Sequence, residues 1–321
     1  MRVFITGIAG VLGSSLARSL LEAGYSVAGN DVARIDEAWR LADIRDQIRY
    51  VWKASNDLVC RDLKEYDVLF DCGLGVPDRP FGNGSPEYTV IGNILPSLRI
   101  LEIARRLREK GYTLTAVYAS SFNSLYGNVG VEYAEDTPIA PTSVYGWTKG
   151  AVEELYRTYI RAYSVPAIIT RVGSAYGPAM RSDELVARLM INTLLDKHIA
   201  LRSPRAKRLW CYSRDVLSFY LKLMDHIDIL RGETLICAGN RGDTIVENVE
   251  LMKLVFKVIG KETTYSLVEY EPGELVGGRP VSFSVNAEYS RQLLGWEPRY
   301  SLEDGLRETA EWFRENIWRY K

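Results

Sequence analysis

Thr6-Gly7-Ile8-Ala9-Gly10-Val11-Leu12-Gly13 constrains this chain more than any other stretch. It puts three glycines at intervals of three between a short β-prone run, Arg2 to Thr6, and a segment from Ser14 to Ala23 with helical apolar spacing at Leu16, Leu20 and Leu21. The pattern predicts strand, tight turn and helix. Gly7 permits the turn, Gly10 lets backbone amides approach a pyrophosphate, and Gly13 lets the helix lie close on its strand. The helix start then offers free amides to an anion, so Gly7, Ala9, Gly10, Val11, Leu12 and Gly13 are candidate cofactor-binding positions.

Tyr25 to Asn30 reads as the next strand and leads into Asp31, whose carboxylate can accept hydrogen bonds from an adenosine ribose and would repel a 2′-phosphate. That favours NAD over NADP, although Arg34, three residues on, offsets part of the repulsion. Further strands are expected at Ile48 to Trp52, Val68 to Cys72, Leu114 to Ala119 and Ala167 to Val172, with helices between most of them, including Ile94 to Lys110 and Val144 to Tyr163. The alternation predicts an α/β fold, a Rossmann-type doubly wound parallel sheet with a smaller C-terminal α/β lobe. The expected division is residues 1–177 plus a return near 210–240 for the sheet, and mainly 178–321 for a substrate lobe. The glycine- and proline-rich stretch Gly73 to Pro86, directly after a strand, lies where ligands sit in such sheets.

The chemistry is expected from Tyr145 and Lys149, four residues apart on one helical face. A phenol with an ordinary pKa of about 10 is no base near neutrality, but an adjacent ammonium and an oxidised nicotinamide both stabilise phenolate. Ser120 and Ser121 close the preceding strand and put a hydroxyl in reach of a reacting alcohol. Only two histidines occur, His198 and His226, which argues against a histidine-rich metal site or a Ser-His-Asp mechanism; no metal is expected. Cys60, Cys72, Cys211 and Cys237 form no CxxC pair and read as reduced core thiols, consistent with a cytoplasmic protein. Forty basic against 41 acidic residues create no field for nucleic acid or a membrane surface, and no leader or spanning segment is evident.

Together these features resemble the NAD-dependent sugar-nucleotide epimerase/dehydratase family of extended short-chain dehydrogenases over nearly the whole chain. Thr6 to Gly13 matches its TGxxGxxG. Ser85-Pro86 to Asn93, with Leu101-Glu102, resembles its helix carrying a structural asparagine. Tyr118 to Ser121 through Leu125-Tyr126-Gly127 resembles its serine segment, and Pro141 through Tyr145 to Lys149 its catalytic helix. Arg171 with Tyr176-Gly177-Pro178 resembles the strand into the substrate lobe; Leu293 to Pro298 and Ser301 to Leu306 resemble the closing motif.

The resemblance implies NAD as cofactor, with Asn93 beside it, and Tyr145 as base. It implies that Lys149 binds the nicotinamide ribose and lowers the tyrosine pKa, and that a serine positions the sugar hydroxyl. Ser121 is favoured and Ser124 is second, because Phe122 occupies the usual place of that serine. Asn123, Ser174, Arg208 and Arg279 complete the expected substrate contacts. Ser174 replaces a usual asparagine, Glu271 stands where an arginine is usual, and Ala54 replaces a usual aspartate near the adenine.

Dehydratases of the family commonly place acids after the serine, and Phe122, Asn123 and Ser124 offer none, which favours epimerisation of a nucleotide sugar at C4 through a transient ketone. An oxidoreductase with net redox and a non-catalytic NAD-binding protein are the rival readings. The resemblance also implies a homodimer, since the family commonly pairs through long helices, a role that Ile94 to Lys110 and Val144 to Tyr163 would fill.

Overall fold

The computed structural model describes residues 1–73, 85–126, 132–239, 243–269 and 283–321. In its first strand, β1 (Arg2–Thr6), alternate side chains face opposite ways. Val3 and Ile5 join one apolar cluster with Leu16 and Leu20 of the helix Val11–Glu22 and with Phe219 and Leu223 of the helix Ser213–Asp225. Phe4 joins another with Ile100, Leu101 and Leu107 of the helix Pro86–Glu109 and with Val152 and Tyr156 of the helix Val144–Tyr163. Each fully buried Leu or Phe contributes roughly 1.5–3 kcal/mol against leaving it in water, so both faces of the strand demand a helical cover.

The remaining strands of this sheet are β2 (Ser26–Asp31), β3 (Arg49–Trp52), β4 (Val68–Asp71), β5 (Thr115–Ser121), β6 (Ala167–Val172) and β7 (Thr234–Cys237). All pair in parallel, in the order 3-2-1-4-5-6-7. The order reverses beside β1, which opens a crevice at the carboxyl ends of β1 and β4. This is the expected Rossmann-type sheet, and β7 returns from beyond residue 210 to complete it.

Three boundaries differ from the sequence reading. The helix expected from Ile94 starts at Pro86, capped by Ser85, whose hydroxyl accepts from Glu87 N at 3.2 Å. Its first turns expose Tyr88, Ile91 and Leu95, so they carry no buried stripe to betray the helix. The glycine-turn helix begins at Val11 rather than Ser14. The strand expected over Leu114 to Ala119 runs from Thr115 to Ser121, with Ser120 and Ser121 closing it.

After β6, Gly173 leads straight into a short strand, Ser174–Tyr176, which pairs in parallel with Lys207–Tyr212; that strand pairs antiparallel with Ile245–Glu247. Helices Leu185–Leu194, Asn248–Ile259 and Leu302–Asn316 share a separate core around Leu189, Met190, Leu251, Val255, Leu306 and Phe313. Among the described residues no helix is long and apolar enough to cross a membrane. The four cysteines are free; Cys211 and Cys237 are buried with sulfurs 3.7 Å apart.

Candidate active site

The glycine turn has the geometry of a cradle. Gly7 sits at φ +65°, and a Cβ on Gly13 would lie 2.3 Å from Gly7 O, so the turn closes on itself only without side chains. Gly10 caps the following helix with no side-chain hydrogen bond, leaving the first-turn amides to an outside acceptor. Asp31 closes the end of β2 beside it: one carboxylate oxygen accepts from Ala9 N and the other from Ala33 N, each at 3.1 Å. These residues fit a dinucleotide.

On the neighbouring strand ends, Lys149 Nζ donates to Ala119 O at 2.8 Å and lies 4.8 Å from the centre of the Tyr118 ring and 6.0 Å from that of Tyr145. Asn93 donates to Thr148 Oγ1 at 2.9 Å, and Thr148 Oγ1 donates to Tyr145 O at 2.7 Å, tying the long helix Pro86–Glu109 to the first turn of the helix Val144–Tyr163. Asn93 Oδ1 and Ser120 Oγ are buried without a partner among the described residues. Ser121 Oγ donates to Ser124 Oγ at 3.1 Å, so the two candidate serines form one unit where β5 passes into the short helix Phe122–Leu125. That helix packs directly on the helix Val144–Tyr163 at Gly146, where a Cβ would lie 2.0 Å from Ser124 O. The Tyr-Gly pair therefore sets the distance between serine and tyrosine.

Electrostatics depart from the simplest expectation. Burial pushes the Tyr145 phenol up to about 12, and the charge of Glu184 adds to the rise. Burial also pulls Lys149 down to about 8, against the pull of Asp71, Cys72 and Glu153. Among the described residues the Tyr145 hydroxyl has no hydrogen-bond partner. The phenol is thus held protonated and open, and only a bound cation or a basic partner would bring it toward neutrality.

Other expected contacts sort differently. Asn123 braces the lobe: its Oδ1 accepts from Leu209 N and its Nδ2 donates to Leu209 O, both at 2.9 Å, and Nδ2 also reaches Ser174 Oγ at 3.2 Å. Arg208 lies over the Trp210 ring at 6.0 Å, its pKa pulled down to about 10 by burial and then by Arg188. Arg279, Glu271 and most of Gly73 to Pro86 lie outside the described residues.

Two residues were not singled out from the sequence. Asp71, 1% exposed at the end of β4, accepts from Ser97 Oγ at 2.6 Å, Tyr156 OH at 2.9 Å and Thr6 Oγ1 at 3.2 Å. A polar residue closing the apolar run Val68-Leu69-Phe70 was its one sequence signal. Glu184 reaches Tyr145 electrostatically from a polar loop that carries no pattern at all.

A doubly wound sheet with a dinucleotide cradle at its order reversal, and a serine, a tyrosine and a lysine on adjoining elements, defines a dinucleotide-dependent enzyme acting on an alcohol or ketone. Residues 3–238 match the model of the NAD dependent epimerase/dehydratase family. The chain belongs to that family, and NAD is its cofactor. It is 26% identical to dTDP-glucose 4,6-dehydratase of Neisseria gonorrhoeae over 337 residues, covering 98% of this chain and 96% of that one. It is likewise 26% identical to an uncharacterized UDP-glucose epimerase of Bacillus subtilis, covering 95% and 96%. Among solved structures it resembles UDP-glucuronic acid 4-epimerase from Bacillus cereus, crystallised with UDP-glucuronic acid and NAD, at a TM-score of 0.86 and 22% identity, covering 98% of this chain and all of that one. It also resembles dTDP-glucose 4,6-dehydratase from Bacillus anthracis, crystallised with NAD, at 0.82 and 22%, covering 98% and 97%. These structural likenesses establish the fold.

Proposed function

We propose that this enzyme epimerises a nucleotide sugar at C4 through a transient 4-keto sugar. The observation that carries the choice is the segment after Ser121. Phe122 is buried against Tyr126, Tyr133 and Phe283, Asn123 is bonded to Leu209, and Ser124 is paired with Ser121, so this segment brings no acid to expel a hydroxyl. In this reading Tyr145 takes the proton of the reacting hydroxyl and later returns it, while Ser121, backed by Ser124, holds the sugar oxygen. Lys149 orients the nicotinamide ribose and, as a cation, supports phenolate at Tyr145. Bound NAD supplies the carbon's hydride acceptor and donor. Asp31 and the amides of Ala9 to Gly13 hold its adenosine and pyrophosphate ends, and Asn93 fixes the helix beside it. Arg208 and Arg279 are proposed to hold the nucleotide phosphates. The proposed working division is a cofactor unit of residues 1–177 plus the return near 210–240, and a substrate lobe from the rest of 178–321.

The helix Pro86–Glu109 exposes Ile91 and Leu95, at 46% and 45%, and the catalytic helix exposes Trp147 at 52%. Such large apolar surfaces on two long helices support a homodimer. A second reading, dehydration of the sugar, is supported by the likeness over 98% of this chain to a dTDP-glucose 4,6-dehydratase at 26% identity.

The test is incubation with NAD and a panel of UDP-, GDP- and dTDP-sugars, following reduced cofactor and product structure together. An epimer without accumulated NADH supports the proposal. A 4-keto-6-deoxy sugar moves the assignment to dehydration, and stoichiometric NADH to net oxidation. NAD binding with no turnover of any sugar favours a non-catalytic role.

A further inference from the structure

The short helix Phe122–Leu125 holds Ser124 against Ser121, yet a single helical turn has little stability of its own. Its neighbours keep it in place. Gly146 leaves it room on one side, and the Phe122 ring is buried in an apolar cluster with Leu209 and Ile236. Toward the strand Lys207–Tyr212 the hold is polar. The carboxamide of Asn123 takes both backbone groups of one residue, Oδ1 accepting from Leu209 N and Nδ2 donating to Leu209 O, each at 2.9 Å. Nδ2 also donates to Ser174 Oγ at 3.2 Å.

Leu209 has these groups to offer because the ladder beside it stops. The strand Lys207–Tyr212 pairs with Ser174–Tyr176 only from Trp210 onward, with Trp210 opposite Ser174. Gly173 does not extend the pairing: its N–H goes to Cys237 O at 3.1 Å, and a Cβ on it would lie 3.1 Å from Leu209 O. Asn123 therefore stands in for the missing strand residue, the donor and acceptor of its amide matched to the backbone groups of Leu209. Two such bonds fix rotation as well as distance. Through them the Ser121–Ser124 pair is registered against a strand in which the residue before Leu209 is Arg208, laid over the Trp210 ring at 6.0 Å.

We infer that Asn123 is a positioning residue that sets the span of the substrate site, from the serines at its sugar end to Arg208 at its nucleotide end. The inference rests on the nucleotide-sugar reading above and holds whether the sugar is epimerised or dehydrated. In that reading the serines hold the sugar oxygen and Arg208 the phosphates, so a ligand that engages both must match the distance that Asn123 fixes. A shift of about 1 Å between such parts can cost on the order of a hundredfold in rate. A ligand held at its phosphates alone meets one side of the clamp and does not feel the span.

The experiment is calorimetric titration of the NAD-loaded protein with UDP, GDP and dTDP and with the glucose conjugate of each. It is run on the wild type and on Asn123→Leu, which keeps the branched shape of the side chain and removes its donor and acceptor. For the nucleotide that the wild type binds, Asn123→Leu is expected to weaken the glucose conjugate by about tenfold or more, while the free diphosphate and NAD change by no more than about twofold. Asn123→Ala, which also lacks the clamp, should give the same pattern. A brace of the fold alone would move all three ligands together. Equal weakening of conjugate and diphosphate, or no weakening of either, overturns the inference while leaving the nucleotide-sugar reading intact. Failure of the wild type to bind any of these compounds overturns both. Should Asn123→Leu fail to fold, Asn123→Ala decides, and loss of the fold in both variants would make Asn123 a structural brace and overturn the inference.

Discussion

Arg171 and Glu153 meet inside the protein with side chains 3% and 0% exposed, the guanidinium Nη2 at 2.8 Å from Oε2 and Nε at 3.1 and 3.2 Å from the two carboxylate oxygens. The pair joins β6 to the helix Val144–Tyr163, and Arg171 also donates to Glu135 O at 2.9 Å. Replacing Arg171 leaves the buried Glu153 only Arg157, whose Nη2 lies 2.9 Å from Oε2, and replacing Glu153 leaves the buried Arg171 without its carboxylate. Arg171→Met should cost about 3 kcal/mol in urea unfolding, and the double variant Arg171→Met with Glu153→Leu should recover most of it. A double variant as unstable as the single one would mean that packing, not charge, is what Arg171 supplies.

Tyr145→Phe keeps the ring and removes only the open hydroxyl. Turnover of the accepted sugar should fall by roughly 10²- to 10⁴-fold, the usual worth of a positioned acid–base group, while NAD affinity stays within a factor of about two. Cofactor titration beside a rate assay checks both, and retention of full turnover would remove Tyr145 from the mechanism.

Burial draws Lys149 to about 8 from an unfolded value near 10.4. Between those two pH values the unfolded chain binds more protons than the folded one, so the stability of the cofactor-free protein should rise with pH across this window. Below about pH 8 both states carry the proton and the penalty is constant. The difference in unfolding free energy between wild type and Lys149→Met should therefore change by roughly 3 kcal/mol from pH 7 to pH 11. A flat difference would show the lysine to be well solvated.

Gly146 governs the spacing of the two segments that carry the candidate serines and Tyr145. Gly146→Ala places a methyl group 2.0 Å from Ser124 O and 3.2 Å from Pro141 Cβ, so the serine helix must move away. A stability loss of about 1–3 kcal/mol is expected, with at least a tenfold drop in kcat and little change in NAD affinity. Equal loss in cofactor binding would point to general unfolding instead.

Asp71 draws three hydroxyls together from β1 and the two long helices. Removing one of them, in Tyr156→Phe, leaves a fully buried carboxylate short of a donor, and about 1–3 kcal/mol of stability should be lost. In a double-mutant cycle with Asp71→Asn the two losses should be strongly non-additive, since they report on one network. Simple additivity would mean that the Tyr156 hydroxyl is solvated in some other way.

The sheet and the cradle were legible because their signals are local. Three glycines between a strand and a helix, and a tyrosine four residues before a lysine, keep their meaning wherever the rest of the chain goes. The strand Thr234–Cys237 was readable only as a return toward the sheet, since nothing within four residues says which neighbour it will pair with. Glu184 and Asp71 escaped for a related reason. A carboxylate in a loop or at a strand end looks the same whether it faces water or a phenol, and only the packing of distant segments decides. Asn123 shows the converse: its place beside the serines suggested a ligand contact, while its amide is bonded to the peptide of Leu209, which is 86 positions away.

Asp31 carries a lesson for cofactor engineering. Its two oxygens already frame the turn by holding Ala9 N and Ala33 N, so the residue that would face the ribose is also part of the scaffold that shapes the phosphate cradle. Exchanging it for a small neutral residue to welcome a phosphorylated dinucleotide would loosen the cradle at the same stroke. A redesign toward NADP must therefore rebuild the anchor for Ala9 before it alters charge, and libraries that vary position 31 alone are expected to be populated by weak binders of both cofactors.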